Sequence, residues 1–112
     1  MGSTFVALEV AIEAAGVVNR LLDQLGPRHR DLVEQGKSAV NSVPLNLAEG
    51  NDRAGRDRQN HFNHARSTAG ETIAVLRVAV AAGGFKPDQP LEAIALLDRV
   101  RAMTWRLLHP RR

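Results

Sequence analysis

Cysteine is absent from this chain, and so is tyrosine. Without cysteine there is no disulfide, no thiol nucleophile and no zinc site built on thiolates. Three Phe and one Trp are all the aromatics, 4% of the residues. That is too few for the stacking platforms that hold single-stranded nucleic acid, or for an aromatic-rich all-β fold. No apolar run approaches the ~20 residues of a membrane span. Residues 5–18 are apolar enough for the core of a signal peptide, but Glu9 and Glu13 interrupt them and no basic segment precedes them. A cytoplasmic protein with no membrane partner is therefore expected. No stretch alternates with strand period, and no repeat or low-complexity tract is found.

What is there is helical. Over 112 residues, 44% are hydrophobic and 24% charged. That is enough for one domain with a real core. The first helical segment is expected over about residues 4–24. Ser3 or Thr4 can cap it, and Gly26-Pro27 stops it, glycine tolerating a left-handed cap. It carries two apolar stripes, Phe5-Leu8-Ile12-Ala15-Leu22 and Val6-Val10-Val17-Leu21. The second segment is expected over about 28–49, with Leu32, Val33, Val40, Val43 and Leu47 at helical spacing. Pro44 lies inside it. A proline removes one N–H and crowds the carbonyl four residues earlier, so a kink is expected there, or else a split into two helices near Val43.

Residues 50–55 read as a polar loop. The third segment, about 56–82, repeats Phe62, Ala65, Ala69, Ile73, Leu76 and Val80 in steps of three and four, a coiled-coil-like seam. Gly83-Gly84 ends it with two residues free to take positive φ. The fourth, about 89–108, has Asp88 as its expected cap and Pro90 in its first turn. Ala93, Leu96, Val100, Met103 and Leu107 form one stripe, with Ile94, Leu97, Trp105 and Leu108 beside it. Three short connections favour antiparallel neighbours. The expected fold is all-α, an antiparallel up-down-up-down four-helix bundle in a single domain spanning 1–112. The wide apolar faces of the first and fourth helices exceed what one side of a small bundle needs. Part of that surface is expected to be buried between subunits.

Charge is uneven along the chain. Residues 1–50 hold 4 basic and 6 acidic side chains, and residues 51–112 hold 11 and 6. The whole chain carries +3. Arg53, Arg56, Arg58 and Arg66 gather around the start of the third helix. Guanidinium groups pair with phosphate bidentately, so these four are the candidate nucleic-acid contacts. The competing reading is a solvated face ion-paired to Asp52 and Asp57, with Arg66 turned inward toward Glu49 or Glu71. A second group is polar. Ser42, Asn46 and Glu49 share one helical face, as do His64, Thr68 and Glu71. If the two faces meet, they build a polar cluster that fixes register. His61 and His64 are three apart, but the Glu-x-x-His motifs of di-iron bundles are absent, so no metal or other cofactor is expected. No nucleophile with its base, phosphate-cradling loop or triad is present, and an enzyme is not expected.

The stretch SVPLNLAEG at 42–50, with Arg53 after it, resembles the signature of four-helix-bundle proteins related to the 23S rRNA intervening-sequence protein. Ala65-Arg66-Ser67-Thr68-Ala69-Gly70-Glu71 resembles that family's second motif, with Ser67 where Gly is usual and Thr68 where Ser is usual. Pro44, Asn46, Ala48, Glu49, Gly50, Arg53, Ala65 and Glu71 match, and His61 falls where an aromatic is common. The resemblance implies a homo-oligomeric ring, commonly a pentamer, without catalytic residues. It implies structural roles for Asn46, Glu49 and Glu71. Some relatives bind RNA or DNA and a partner protein such as a reverse transcriptase. The expected function is a non-enzymatic nucleic-acid-binding accessory protein. The alternative is a scaffold that docks a partner protein.

Overall fold

The computed structural model describes residues 5–110. Four helices follow one another: α1 Val6–Leu22, α2 Arg30–Asn51, α3 Gly55–Ala81 and α4 Leu91–Leu108. A single 3-10 turn, Pro27–His29, precedes α2. No strand occurs among the described residues. The molecule measures 46 × 25 × 21 Å, a length set by the 27 residues of α3. Each helix packs against the next, and α1 also packs against α4.

The core is built from small residues as much as large ones. The face that α1 buries is Ala7, Val10, Ala11, Ala14, Val18 and Leu22. Neither expected stripe is that face: Ile12 and Val6 are exposed. Alanines carry the buried face because they let neighbouring helices approach closely, leaving two of the larger apolar side chains outside. On α3 the expected seam is right at Phe62, Ala65, Ala69 and Leu76, while Ile73 and Val80 are half-buried toward a groove described below. Thr68, Thr72 and Thr104 are buried on α3 and α4. Their hydroxyls donate back to carbonyls one turn earlier, as Thr72 does to Thr68 O at 2.8 Å and Thr104 to Val100 O at 2.9 Å. The back-bonding makes a threonine tolerable in an apolar core.

α2 runs unbroken through Pro44 as a single helix, so the alternative of a split near Val43 does not occur. The helix ends differ from expectation in informative ways. The Ser3 or Thr4 cap lies outside the described residues, and α1 opens after Phe5 without a side-chain cap. Gly26 is extended (φ −80°, ψ −179°) rather than left-handed, because α1 has already ended at Leu22. Asp88 does not cap α4 with its side chain. Pro90 precedes the first turn, and Asp88 contributes its backbone carbonyl to the Leu91 N–H. The polar loop before α3 shrinks to residues 52–54, with Gly55 opening the helix at φ +61°. At the far end only Gly83 takes positive φ (+82°), and Gly84 N donates to Ala79 O at 2.8 Å. This is the left-handed C-terminal closure that glycine favours.

Candidate functional site

Two places collect the polar and charged side chains that the sequence singles out. The first is the junction between the end of α2 and the start of α3. Asn46 Nδ2 donates to Ser42 O and Ser42 Oγ, both at 2.9 Å. Its Oδ1 lies 3.0 Å from His61 Nδ1, a bond for the tautomer that protonates Nδ1. Arg53 bridges the turn, donating to Glu49 at 3.0 Å and to Asp57 at 3.1 Å. Asp57 stands 3.9 Å from His61 on the same helix. Arg58 lies over the Phe62 ring, 4.7 Å from its centroid, and donates to Gly50 O at 3.3 Å. A cation there answers the unpaired carbonyls at the end of α2.

Gly50 explains why the junction is so close. A Cβ on it would lie 2.7 Å from Phe62 Cε1 and 3.1 Å from His61 Cβ. Any larger residue would push α3 away from the end of α2.

The expected polar cluster is therefore divided. Ser42 and Asn46 join His61, not His64, which is exposed. Thr68 is buried and bonds its own helix at His64 O, 3.0 Å. Glu71 is exposed and accepts from Gln35 Nε2 of α2 at 3.4 Å. Glu49 is exposed and held by Arg53.

The four candidate phosphate-binding arginines do not form one patch. Arg53 is engaged by two carboxylates and Arg58 by the helix end. Arg56 is exposed, and no ion pair to it occurs among the described residues. Arg66 lies elsewhere, on the outer seam between α3 and α4, and does not turn toward Glu49 or Glu71.

That seam is the second place. A groove of about 570 Å³ runs along the outside of the bundle between α3 and α4. From α3 it is lined by Gly70, Ile73, Arg77 and Val80, and from α4 by Leu91, Ile94, Asp98 and Arg101. It continues past Arg66, Arg101, Trp105 and Arg106. Both sets recur in steps of three and four, so each helix offers one continuous stripe. Four arginines face a single carboxylate. Asp98 is 3.8 Å from Arg101, a loose pair. The Nε atoms of Arg66 and Arg101 are buried with no hydrogen-bond partner among the described residues. Gly70 opens the space that Arg101 crosses, its missing Cβ being 3.7 Å from Arg101 Nε.

Of this groove, the sequence marks Arg66, Ile73 and Val80 of the third-helix seam, and the side position of Ile94 and Trp105. Nothing in their spacing marks Arg77, Arg101 and Arg106, which the fold brings to the same groove. The available signal is the breadth of apolar surface on the fourth helix, with Arg101 and Arg106 set inside it.

The chain belongs to the 23S rRNA-intervening sequence protein family, whose sequence signature matches residues 5–106. Comparison with curated proteins gives no match.

Proposed function

We propose that this protein is a non-enzymatic docking scaffold that receives a helix of another polypeptide in the α3–α4 groove. The observation that carries the reading is the groove itself, two parallel stripes at helical spacing with apolar floor residues and unpartnered guanidinium nitrogens. A third helix laid between two others meets side chains at that same repeat. We take the bundle as up-down-up-down. Support comes from paired contacts whose partners move in opposite directions along the chain: Asn19 with Asn41, Asp23 with Lys37, Gln35 with Glu71, Asn46 with His61. A bend of α2 at Pro44 belongs to the same reading, since the missing N–H leaves Val40 O without its helical donor.

The expected nucleic-acid function stands second. Four arginines against one carboxylate along the groove, with Arg56 at the junction in no ion pair among the described residues, favour it. The pairing of Arg53 and the internal use of Arg58 count against the patch around the start of α3.

A photo-reactive phenylalanine analogue at the exposed Leu91 position tests both readings in the cell. Cross-links to a polypeptide segment are expected. Cross-links to RNA or DNA instead, with salt-sensitive binding of labelled oligonucleotides by the purified protein, would overturn the docking reading in favour of the second.

A further inference from the structure

We infer that the helix received by the α3–α4 groove belongs to a different polypeptide and is acidic at one end and aliphatic at the other, with two carboxylates one turn apart and aliphatic side chains following at heptad spacing. The inference rests on the groove's being a helix-docking surface, and it states the chemistry of the partner.

The groove is not uniform along its length. Where α3 finishes and α4 begins, it is lined by Val80, Pro87, Pro90 and Leu91, with Ile73 and Ile94 next to them. Leu91 is 58% exposed there. At the other end Arg66 comes from α3, and Arg101 and Arg106 come from α4 on either side of Trp105. Arg77 stands on α3 between Ile73 and Val80. Asp98 is the one carboxylate that lines the groove among the described residues.

Spacing identifies the occupant as a helix. On α3 the lining positions 66, 70, 73, 77 and 80 alternate steps of four and three. On α4 the positions 91, 94, 98, 101 and 105 alternate three and four. Two outward seams of this repeat, side by side, form the holes that the knobs of a third helix fill. A nucleic-acid backbone would satisfy the arginine end and leave the aliphatic end in water.

Charge identifies which helix. Arg66, Arg77 and Arg106 make no ion pair among the described residues, and Arg101 makes one, the loose pair to Asp98. A carboxylate takes a guanidinium through two parallel N–H bonds, whereas a cation on the partner would add like charge to this end.

The register follows from the positions. Arg66 and the Arg101 side chain, which crosses at Gly70, meet α3 about one turn apart, roughly 6 Å along its axis. Ile73 and Val80 lie one and two heptads beyond Arg66, at about 10 and 21 Å. A partner helix running alongside α3 therefore offers carboxylates four residues apart, and aliphatic side chains seven and fourteen residues after the first of them.

The test is titration of a labelled synthetic helix into the full-length protein, followed by fluorescence anisotropy. The probe is an alanine-based eighteen-residue peptide with glutamate at its third and seventh positions and leucine at its tenth, fourteenth and seventeenth. Carboxylates near its start also stabilise the peptide's own helix. Micromolar binding is expected, and it is lost when both glutamates are replaced by lysine. Arg66→Glu with Arg101→Glu weakens it by at least about tenfold, because like charges then oppose. Leu91→Glu, at an exposed position, gives an independent break at the aliphatic end, and circular dichroism checks that each variant is folded. A glutamate peptide that does not bind overturns the inference, and so does a lysine peptide that binds as tightly. A fall in the protein's own mass by light scattering in Leu91→Glu also overturns it, since a second copy would then fill the groove. The docking reading fails separately, if Leu91 cross-links to nucleic acid and to no polypeptide.

Discussion

The α2–α3 junction and the α3–α4 groove use the same residue type to opposite ends. At the junction, Arg53 is closed between Glu49 and Asp57, and Arg58 is spent on Phe62 and the carbonyl of Gly50. In the groove, Arg66 and Arg101 each bury an Nε that meets no acceptor among the described residues. A buried donor without a partner costs free energy, so folding alone gives no reason to place one there, let alone two side by side. Paired arginines report on how the bundle holds itself together. Unpaired ones are where the proposed docking would act.

The sharpest way to break this contrast is to damage the junction's packing and see whether stability follows. Phe62 is fully buried against the end of α2, with Phe5 6.1 Å away between ring centroids. Phe62→Ala is expected to cost about 3–5 kcal/mol, read as a loss of melting temperature by calorimetry. Next in size is Gly50→Ala. The added methyl would overlap the Phe62 ring, and overpacking of this kind costs about 1–3 kcal/mol. If Gly50→Ala melts like the wild type, the close approach of α2 and α3 is not what holds the junction.

The two regions also differ in how far they could be read in advance. Four helices, their order and most of their extents follow from apolar spacing and from Pro and Gly at the ends. The junction was half legible. Asn46, Glu49 and Arg53 stand out as a motif, but the partner across the gap is His61 rather than His64. Spacing on one helix cannot choose between residues three apart on another, because the choice depends on the rotation of the second helix. The buried face of α1 differs from the expected stripes for a related reason. Counting large aliphatic residues hides a face made of Ala7, Ala11 and Ala14, which burial through close helix packing favours. The groove was the least legible. Its arginines lie up to 40 positions apart on two helices, and only the fold sets them side by side.

Asn46→Ala sharpens the comparison on the polar side of the junction. It removes three hydrogen bonds and strands the half-buried His61 Nδ1. A typical net loss is about 1 kcal/mol, rising toward ~3 if the ring nitrogen stays dry. Thermal melts of Asn46→Ala beside Asn46→Asp separate the two contributions, since Asp keeps an acceptor toward His61 and gives up the donor to Ser42. Equal losses in both variants would mean that the bond to His61 contributes nothing.

The smallest change in stability is expected where the proposed function is largest. Arg101→Met keeps the length and apolar stem of the side chain lying across Gly70 and removes the buried, unpartnered Nε. Its one ion pair among the described residues, to Asp98 at 3.8 Å, is partly exposed and worth little. The melting temperature is therefore expected to stay within the shift of about 0.5 kcal/mol, or to rise, while association through the groove weakens. That separation is what distinguishes the groove from the junction, where every substitution is expected to act on stability first. A clear drop in melting temperature for Arg101→Met would place Arg101 with Arg53 and Arg58, as an arginine that serves the bundle itself.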